Sequence, residues 1–185
     1  MGAAPFLARA AEEAQRYGDD PWVFLRELVQ NSRDAHAGRI DLSVADDAAG
    51  ESVACEDDGH GMSEEVARRY LLRLYASSKG EDGSIGYFGV GFWSILRFAP
   101  RSVTVTSRSA EGAVGLEIDC RAGTLTAVPV TIPHRGTRVE LTRDGGAGPA
   151  AVDGLHAAVR DRLRHYAAHI RPTCRWFEST LPVSL

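Results

Sequence analysis

Four strand-like segments with very short separators constrain the fold of this chain more than any other feature of its sequence. The segments are Val103–Ser107, Val114–Asp119, Thr124–Val130 and Thr137–Thr142. The separators contain the turn-forming residues Glu111-Gly112, Ala122-Gly123 and His134-Arg135-Gly136. A parallel connection needs a crossover of a dozen or more residues, whereas antiparallel neighbours can be joined by a short hairpin. The pattern therefore predicts a largely antiparallel sheet in which each separator is a hairpin turn.

Helical patterns precede and follow these strands. Helices are predicted over Phe6–Tyr17, Asp20–Gly38, Ser63–Tyr75, Gly89–Ala99 and Ala151–His169. Asp20 and Ser63 are suitable N-caps, and Gly38 suits the left-handed conformation that ends many helices. Further strands are predicted around Ile40–Val44, Val53–Cys55 and Cys174–Val183. Together these elements predict a two-layer α/β sandwich with helices packed on one face of a mixed, mostly antiparallel sheet.

The composition is that of one soluble globular domain. The chain has 185 residues, of which 44% are hydrophobic, and its length suits a single domain over residues 1–185. A net charge of −4 does not indicate a nucleic-acid partner. The three cysteines form no CxxC pair, so we expect no disulfide framework or zinc site and a cytoplasmic location. No run of 18 or more apolar residues is present, and no membrane span is expected.

The second predicted helix carries a polar stripe. Glu27, Asn31 and Asp34 stand at positions i, i+4 and i+7, which lie on one side of a helix. Their oxygens could face a cation or a polarised water. A solvated helix face is the alternative interpretation of this stripe when it is taken alone.

A carboxylate and two glycines follow the second predicted strand. Asp57 closes the strand, and Gly59 and Gly61 let the backbone approach a ligand closely. A carboxylate in such a niche can accept a hydrogen bond from the exocyclic amine of adenine, whereas guanine would bring a second acceptor to it. An acidic turn before Ser63 is the alternative interpretation.

A third motif has the glycine spacing GxxGxG, in Gly86, Gly89 and Gly91, at the start of a predicted helix. Backbone N–H groups at a helix start bind phosphate. The spacing differs from the GxGxxG dinucleotide fingerprint, and the chain has no GxxxxGK[ST] sequence, so neither a Rossmann nor a P-loop site is indicated. Thr137, which follows Gly136 at the start of a strand, offers a hydroxyl that can donate and accept.

Taken together, the motifs resemble those of the GHKL ATPases, the family of gyrase, the ninety-kilodalton heat-shock chaperones, histidine kinases and MutL. The matching segments, in family order, are Phe24–Ala35, Asp57–Met62, Ile85–Ser94 and Arg135–Thr137. The third segment is most similar to the amino-terminal ATP-binding domain of the heat-shock chaperones. The resemblance implies a Bergerat-type ATP-binding fold and, as cofactors, ATP and Mg²⁺.

The resemblance also implies a role for each matching residue. Glu27 would orient and activate the attacking water, Asn31 would hold Mg²⁺, and Asp57 would bind the adenine amine with support from Thr137. Asp34 would support the site rather than touch ATP. The residues that would shape the base pocket are Gly59, Gly61 and Met62. Those that would present backbone amides to the phosphates are Gly86, Gly89, Val90, Gly91 and Phe92.

The stretch Lys79–Gly86 is shorter than the lid of the heat-shock chaperones. Ser77-Ser78-Lys79 resembles instead the lid of mismatch-repair MutL, which implies that Lys79 could reach a phosphate. We expect the loop over Ala76–Ile85 to close over bound nucleotide.

The leading interpretation is an ATPase that couples its nucleotide state to conformational change in a larger chaperone-like or clamp-like protein. Further domains, a homodimer partner and a protein client are the expected partners. Slow hydrolysis is expected because Lys79 is the only lysine, and the charge that develops on the terminal phosphate needs a positioned cation. An ATP-gated sensor module with incidental hydrolysis is the alternative, but ATP affinity alone requires no carboxylate at Glu27. A histidine kinase would usually carry Asn there.

Overall fold

A computed structural model describes residues 4–47, 50–71, 91–145 and 174–178, together with Ala157 and Asp161. Within these ranges the α-helices are α1 (Ala4–Ala14), α2 (Phe24–Asp34) and α3 (Glu64–Leu71). Short 3₁₀ helices span Gln15–Tyr17 and Phe92–Phe98. The strands are β1 (Ile40–Asp47), β2 (Gly50–Asp57), β3 (Ser102–Arg108), β4 (Ala113–Asp119), β5 (Thr124–Ala127), β6 (Gly136–Arg143) and β7 (Cys174–Glu178).

The strands form one seven-stranded sheet in the order β5-β4-β3-β6-β2-β1-β7. Every neighbouring pair is antiparallel except β1 and β7, which are parallel. The predicted mixed, mostly antiparallel sheet is thus confirmed. The core lies between the inner face of this sheet and the helices, as predicted for a two-layer α/β sandwich, because inward-facing Val, Ile and Leu residues alternate with polar ones along the strands.

One of the three predicted hairpins is wrong. β5 pairs only with β4 at the edge of the sheet, while β6 lies between β3 and β2. The segment that contains His134-Arg135 therefore crosses the sheet instead of turning back on β5. β6 buries Val139 and Leu141 and forms two ladders at this interior place, whereas β5 is short and largely exposed. Burial of apolar side chains outweighs the short separation in sequence.

The second helix is shorter than predicted at both ends. The Asp20 carboxylate accepts a hydrogen bond from the Trp22 N–H at 3.0 Å, so residues 21–23 form a turn and the helix begins at Phe24. It ends at Asp34, because His36 already adopts the left-handed conformation, with φ of 58°, that was predicted for Gly38. The Ser63 cap is confirmed, with Ser63 Oγ 3.5 Å from the Val66 N–H.

The other helical predictions differ in their extent. The segment predicted over Gly89–Ala99 is helical from Phe92 to Phe98, with the tighter 3₁₀ geometry. Most of the helix predicted over Ala151–His169 lies outside the described residues, as does the loop predicted to act as a lid. None of the helices in the described part of the chain is long and apolar enough to cross a membrane.

Candidate functional site

A cavity of about 320 Å³ lies between α2 and the inner face of the sheet. Its walls come from α2, the end of β2 and the turn after it, α3, the start of the second 3₁₀ helix, and strands β3 and β6. The lining residues that carry polar or ionisable side chains are Glu27, Asn31, Ser32, Asp34, Cys55, Asp57, His60 and Thr137. Residues more than 100 positions apart in sequence therefore meet at one place.

Asp57 is the most constrained of these side chains. It is only 6% exposed, and its Oδ1 accepts hydrogen bonds from the backbone N–H groups of Gly59 at 2.9 Å and Thr137 at 3.3 Å. Its Oδ2 accepts a hydrogen bond from Ser32 Oγ at 2.9 Å. Burial raises the pKa of Asp57, and these hydrogen bonds oppose the rise because they stabilise the charged form. The carboxylate is thus fixed in position at the wall of the cavity.

Glycines make room for this arrangement. A Cβ at Gly59 would lie 2.7 Å from the Ala35 carbonyl oxygen and 3.0 Å from Asp57 Oδ1. Gly61 has a φ of +65°, and a Cβ there would collide with the Arg108 carbonyl group. A Cβ at Gly136 would likewise collide with the Asp57 carbonyl group. The backbones of α2, β2, β3 and β6 can therefore approach one another around Asp57.

Ser107 connects three parts of this wall and is completely buried. Its Oγ accepts a hydrogen bond from the Met62 N–H at 2.8 Å and donates one to the Gly136 carbonyl oxygen at 2.9 Å. Thr137 Oγ1 lies 2.8 Å from Ser107 Oγ. The turn after β2, the end of β3 and the start of β6 are tied together through one hydroxyl group.

Glu27 and Asn31 line the same cavity and lie one turn apart on α2. The Glu27 side chain is 21% exposed, and its Oε1 accepts a hydrogen bond from Arg26 Nη2 at 3.0 Å. A Cβ added to Gly91 would collide with Glu27 Oε2, so this glycine lets the carboxylate approach the start of the 3₁₀ helix. The Asp34 carboxylate accepts a hydrogen bond from Gln30 at 2.8 Å.

Most of the described residues predicted for the site line one cavity. These are Glu27, Asn31, Asp57, Gly61, Met62, Gly91, Phe92 and Thr137. Gly59 does not line the cavity, but its backbone N–H donates a hydrogen bond to Asp57 Oδ1. Four predicted residues lie outside the described part of the chain: Lys79, Gly86, Gly89 and Val90.

Sequence reasoning missed the residues that hold Asp57 and Thr137. Ser32 and Ser107 are buried polar side chains on otherwise apolar inner faces, Ser32 one turn after Leu28 and Ser107 two residues after Val105. A serine at a core position of an amphipathic pattern is the signal that could have identified both. Cys55 and His60 also line the cavity.

A family comparison gives the same assignment as the motifs. The sequence profile of the family described as "Histidine kinase-, DNA gyrase B-, and HSP90-like ATPase" matches residues 20–124, more than half of the chain. This range contains Glu27, Asn31, Asp57 and Gly91, whereas Thr137 follows it.

Similar proteins come from two groups. The chaperone protein HtpG of Chlorobium phaeovibrioides is 37% identical over 153 residues, which cover 66% of this chain and 24% of HtpG. The DNA mismatch repair protein MutL of Halobacterium salinarum is 34% identical over 138 residues, covering 70% of this chain and 20% of that protein. MutL of Paramagnetospirillum magneticum is 35% identical over 155 residues, covering 80% and 24%. The chain thus spans about a quarter or less of these relatives. By its family match, the chain belongs to the histidine kinase-, DNA gyrase B- and HSP90-like ATPases.

Proposed function

We propose that this domain binds Mg²⁺ and ATP in the cavity beside α2 and hydrolyses ATP slowly to ADP. The observation that carries the proposal is the state of the Asp57 carboxylate. A carboxylate has about four acceptor positions, and three of them are occupied by Gly59, Thr137 and Ser32. Among the described contacts, one position remains for a donor from a ligand in the cavity.

The exocyclic amine of adenine is such a donor. Guanine carries a carbonyl oxygen at the same place of the ring, so two acceptors would face each other in a buried site. An unsatisfied buried polar group costs about 1–3 kcal/mol, which corresponds to roughly 5–150-fold in affinity. Asp57, at 6% exposure, is buried enough for this cost to apply. We therefore expect adenine nucleotides to bind more tightly than guanine nucleotides.

Glu27 and Asn31 are the candidates for the chemistry at the phosphates. The amide oxygen of half-buried Asn31 is a ligand type that Mg²⁺ accepts, together with phosphate oxygens, and it faces the same cavity as Glu27. Mg²⁺ would neutralise charge on the phosphates. Glu27 would hold the attacking water and take up its proton, since it lies one turn before Asn31 and its Oε2 lies beside Gly91.

The remaining phosphate contacts are assigned by family resemblance. The backbone amides of Gly86, Gly89, Val90, Gly91 and Phe92 would bind the phosphates. Lys79, on the segment from Ala76 to Ile85, would reach a phosphate when that segment closes as a lid.

Slow turnover follows from the charges of the cavity. Its described lining contains Glu27, Asp34 and Asp57 but no arginine or lysine, and the nearby Arg26 guanidinium is paired with Glu27. A positioned cation can contribute about 10³–10⁵ in phosphoryl-transfer rate. We propose that further domains of a larger chaperone-like or clamp-like protein, or a second copy of it, supply that cation and couple nucleotide state to conformational change.

Calorimetry with ADP, ATP and GTP tests the binding proposal, with and without Mg²⁺. We expect tighter binding of the adenine nucleotides, and equal affinities for ATP and GTP would remove the proposed role of Asp57. A steady-state ATPase assay at several protein concentrations tests the second part. Fast turnover that is independent of protein concentration would contradict the proposal that further domains or a second copy supply a cation. Nucleotide binding without any turnover would favour the sensor function.

A further inference from the structure

The geometry points to Ser107 as a positioning residue for base selection, because it fixes the direction in which the Thr137 hydroxyl group carries its proton. This inference rests on the proposed binding of adenine nucleotides. Ser107 itself does not line the cavity, whereas Thr137 does. Ser107 would therefore act on the ligand only through its neighbour.

The argument starts from the single proton of a serine hydroxyl group. Ser107 Oγ donates to the Gly136 carbonyl oxygen at 2.9 Å, and a carbonyl oxygen can only accept. The Met62 N–H, which can only donate, bonds to Ser107 Oγ at 2.8 Å. Since the proton of Ser107 is used on Gly136, the 2.8 Å contact with Thr137 Oγ1 must be one in which Thr137 donates. Ser107 then makes one donated and two accepted hydrogen bonds, its full capacity.

The consequence for the cavity lies at Thr137. With its proton directed at Ser107, Thr137 Oγ1 has only lone pairs left for a ligand or a bridging water. The same reasoning applies to Ser32, whose proton is directed at Asp57 Oδ2, so that the contact of 4.0 Å to Cys55 is one in which the thiol donates. The side-chain oxygens of Asp57, Ser32 and Thr137 thus present only acceptor positions to a ligand.

These three acceptors favour a ligand edge that donates. The 6-amino group of adenine carries two N–H donors, one for Asp57 and one for Thr137 or a water bound to it. Hypoxanthine differs at this position by carrying a carbonyl oxygen, which finds no donor among the side-chain oxygens of Asp57, Ser32 and Thr137. If the Thr137 proton were free to rotate, it could turn into the cavity and bond to that oxygen, and selection would weaken.

The test compares ADP with IDP by calorimetry, because the two differ only in the base, at position 6 and the adjoining ring nitrogen. For wild type we expect a clear preference for ADP. Ser107→Ala leaves Thr137 without its acceptor, so the ADP/IDP affinity ratio should fall about fivefold or more, the lower end of the range for one buried mismatch. Thr106→Ala is the matched control: it removes a buried hydroxyl one residue away, which contacts Thr131 at 3.4 Å and lies outside the cavity lining. Its ratio should equal that of wild type.

A double variant separates positioning from general loss of structure. In a Thr137→Val background, Ser107→Ala should change the ADP/IDP ratio no further, because the group that it positions is already gone. A full additional fall, or an unchanged ratio in Ser107→Ala alone, would overturn the inference. Should Ser107→Ala fail to fold, Thr137→Val decides alone, since it preserves the bonds of Ser107 to Met62 and Gly136, and an unchanged ratio there also overturns it. If wild type binds neither nucleotide, the proposed function itself fails.

Discussion

Two groups of residues that line the cavity are held in different ways: Asp57 with its hydrogen-bond partners (the Asp57 end), and Glu27 with Asn31 (the Glu27 end). At the Asp57 end, backbone N–H groups, buried serines and glycines hold each polar group from several directions. At the Glu27 end, the carboxylate and Asn31 are partly exposed side chains on one helix. Glu27 accepts a hydrogen bond from the adjacent Arg26 and lies where Gly91 has no side chain. The Asp57 end is preorganised, whereas the Glu27 end depends more on groups that a ligand, Mg²⁺ or other parts of the protein would add.

This difference leads us to expect that the proposed nucleotide binding and turnover can be separated by mutation. Recognition of the base needs acceptors that are in position before the ligand binds. Groups that are already fixed lose little conformational entropy on binding. Transfer of the terminal phosphate needs charges that arrive with the substrate, with Mg²⁺ and with other parts of the protein. We therefore expect variants at the two ends to affect different measured quantities.

The largest effect is expected for Glu27→Ala. If Glu27 activates the attacking water as we propose, its removal should lower kcat about 10²–10⁴-fold while the ADP dissociation constant changes only a few-fold. A steady-state assay and calorimetry measure the two quantities. Glu64→Ala, at an exposed glutamate on α3, is the control and should leave both unchanged. Wild-type turnover in Glu27→Ala would break the comparison, because the Glu27 end would then not be the catalytic one.

Asp57→Asn should change affinity instead. The amide can turn an N–H toward the adenine amine, so ADP binding should weaken roughly 5–150-fold, the cost of one buried mismatch. Asp58→Asn serves as the matched control, because the exposed Asp58 carboxylate accepts from Gly38 and Arg39 outside the cavity lining. Calorimetry gives the affinities, and thermal unfolding shows whether the variants are folded. Wild-type affinity in Asp57→Asn would contradict the role of this end.

Two glycine substitutions sharpen the contrast. A methyl group at Gly91 would push the Glu27 carboxylate aside, and misplacement by about 1 Å can cost up to about 10²-fold in rate. Gly91→Ala should therefore lower kcat and leave the ADP/GDP affinity ratio unchanged. Gly59→Ala should lower that ratio, because its methyl group would lie 3.0 Å from Asp57 Oδ1.

Gly38→Ala is the control for both glycine variants, since a Cβ there meets only ordinary contacts of 3.7 Å or more. If Gly91→Ala changed base selection, or if Gly59→Ala lowered only kcat, the two ends would not be separable.

The smallest effect is a pH dependence at the Asp57 end. Burial raises the pKa of Asp57 above the usual 3.8, so the carboxylate takes up a proton at a higher pH than an ordinary aspartate. ADP affinity should fall as the pH is lowered through that raised pKa, by at most about tenfold per pH unit for one proton. The free energy of unfolding should change in the opposite direction. Because the folded-state pKa of Asp57 is raised, its contribution to stability is present at low pH and is lost as the pH rises.

Calorimetry of ADP at successively lower pH measures this dependence, and subtraction of the Asp57→Asn profile removes the titration of the phosphates. Asp119→Asn is the control, because hydrogen bonds from Ala122 and Arg121 lower the pKa of this exposed carboxyl group outside the cavity lining. If wild type and Asp57→Asn showed parallel profiles, Asp57 would not be the group that must stay ionised.

Some of the fold and site could be predicted because the responsible signals are local. Alternation of apolar residues predicts strands, and the spacing of Glu27 and Asn31 places both on one side of α2. The glycines after Asp57 indicate a close approach of backbones without showing which backbone approaches. The helix limits were less predictable, since Asp20 can form a turn as well as a cap and His36 can replace glycine at a helix end.

The sequence by itself determined the residue types and their local placement: the carboxylates, the glycines and the periodicity of the strands. Only the tertiary structure decided that β6 lies between β3 and β2, and this placement brings Thr137 to Asp57 across 80 residues of sequence. It also decided that Ser107 lies against Met62, 45 residues away, and Gly136. The physical reason is that periodicity is set by neighbours a few residues apart. The partner of a buried hydrogen bond is chosen by the packing of all strands and helices at once.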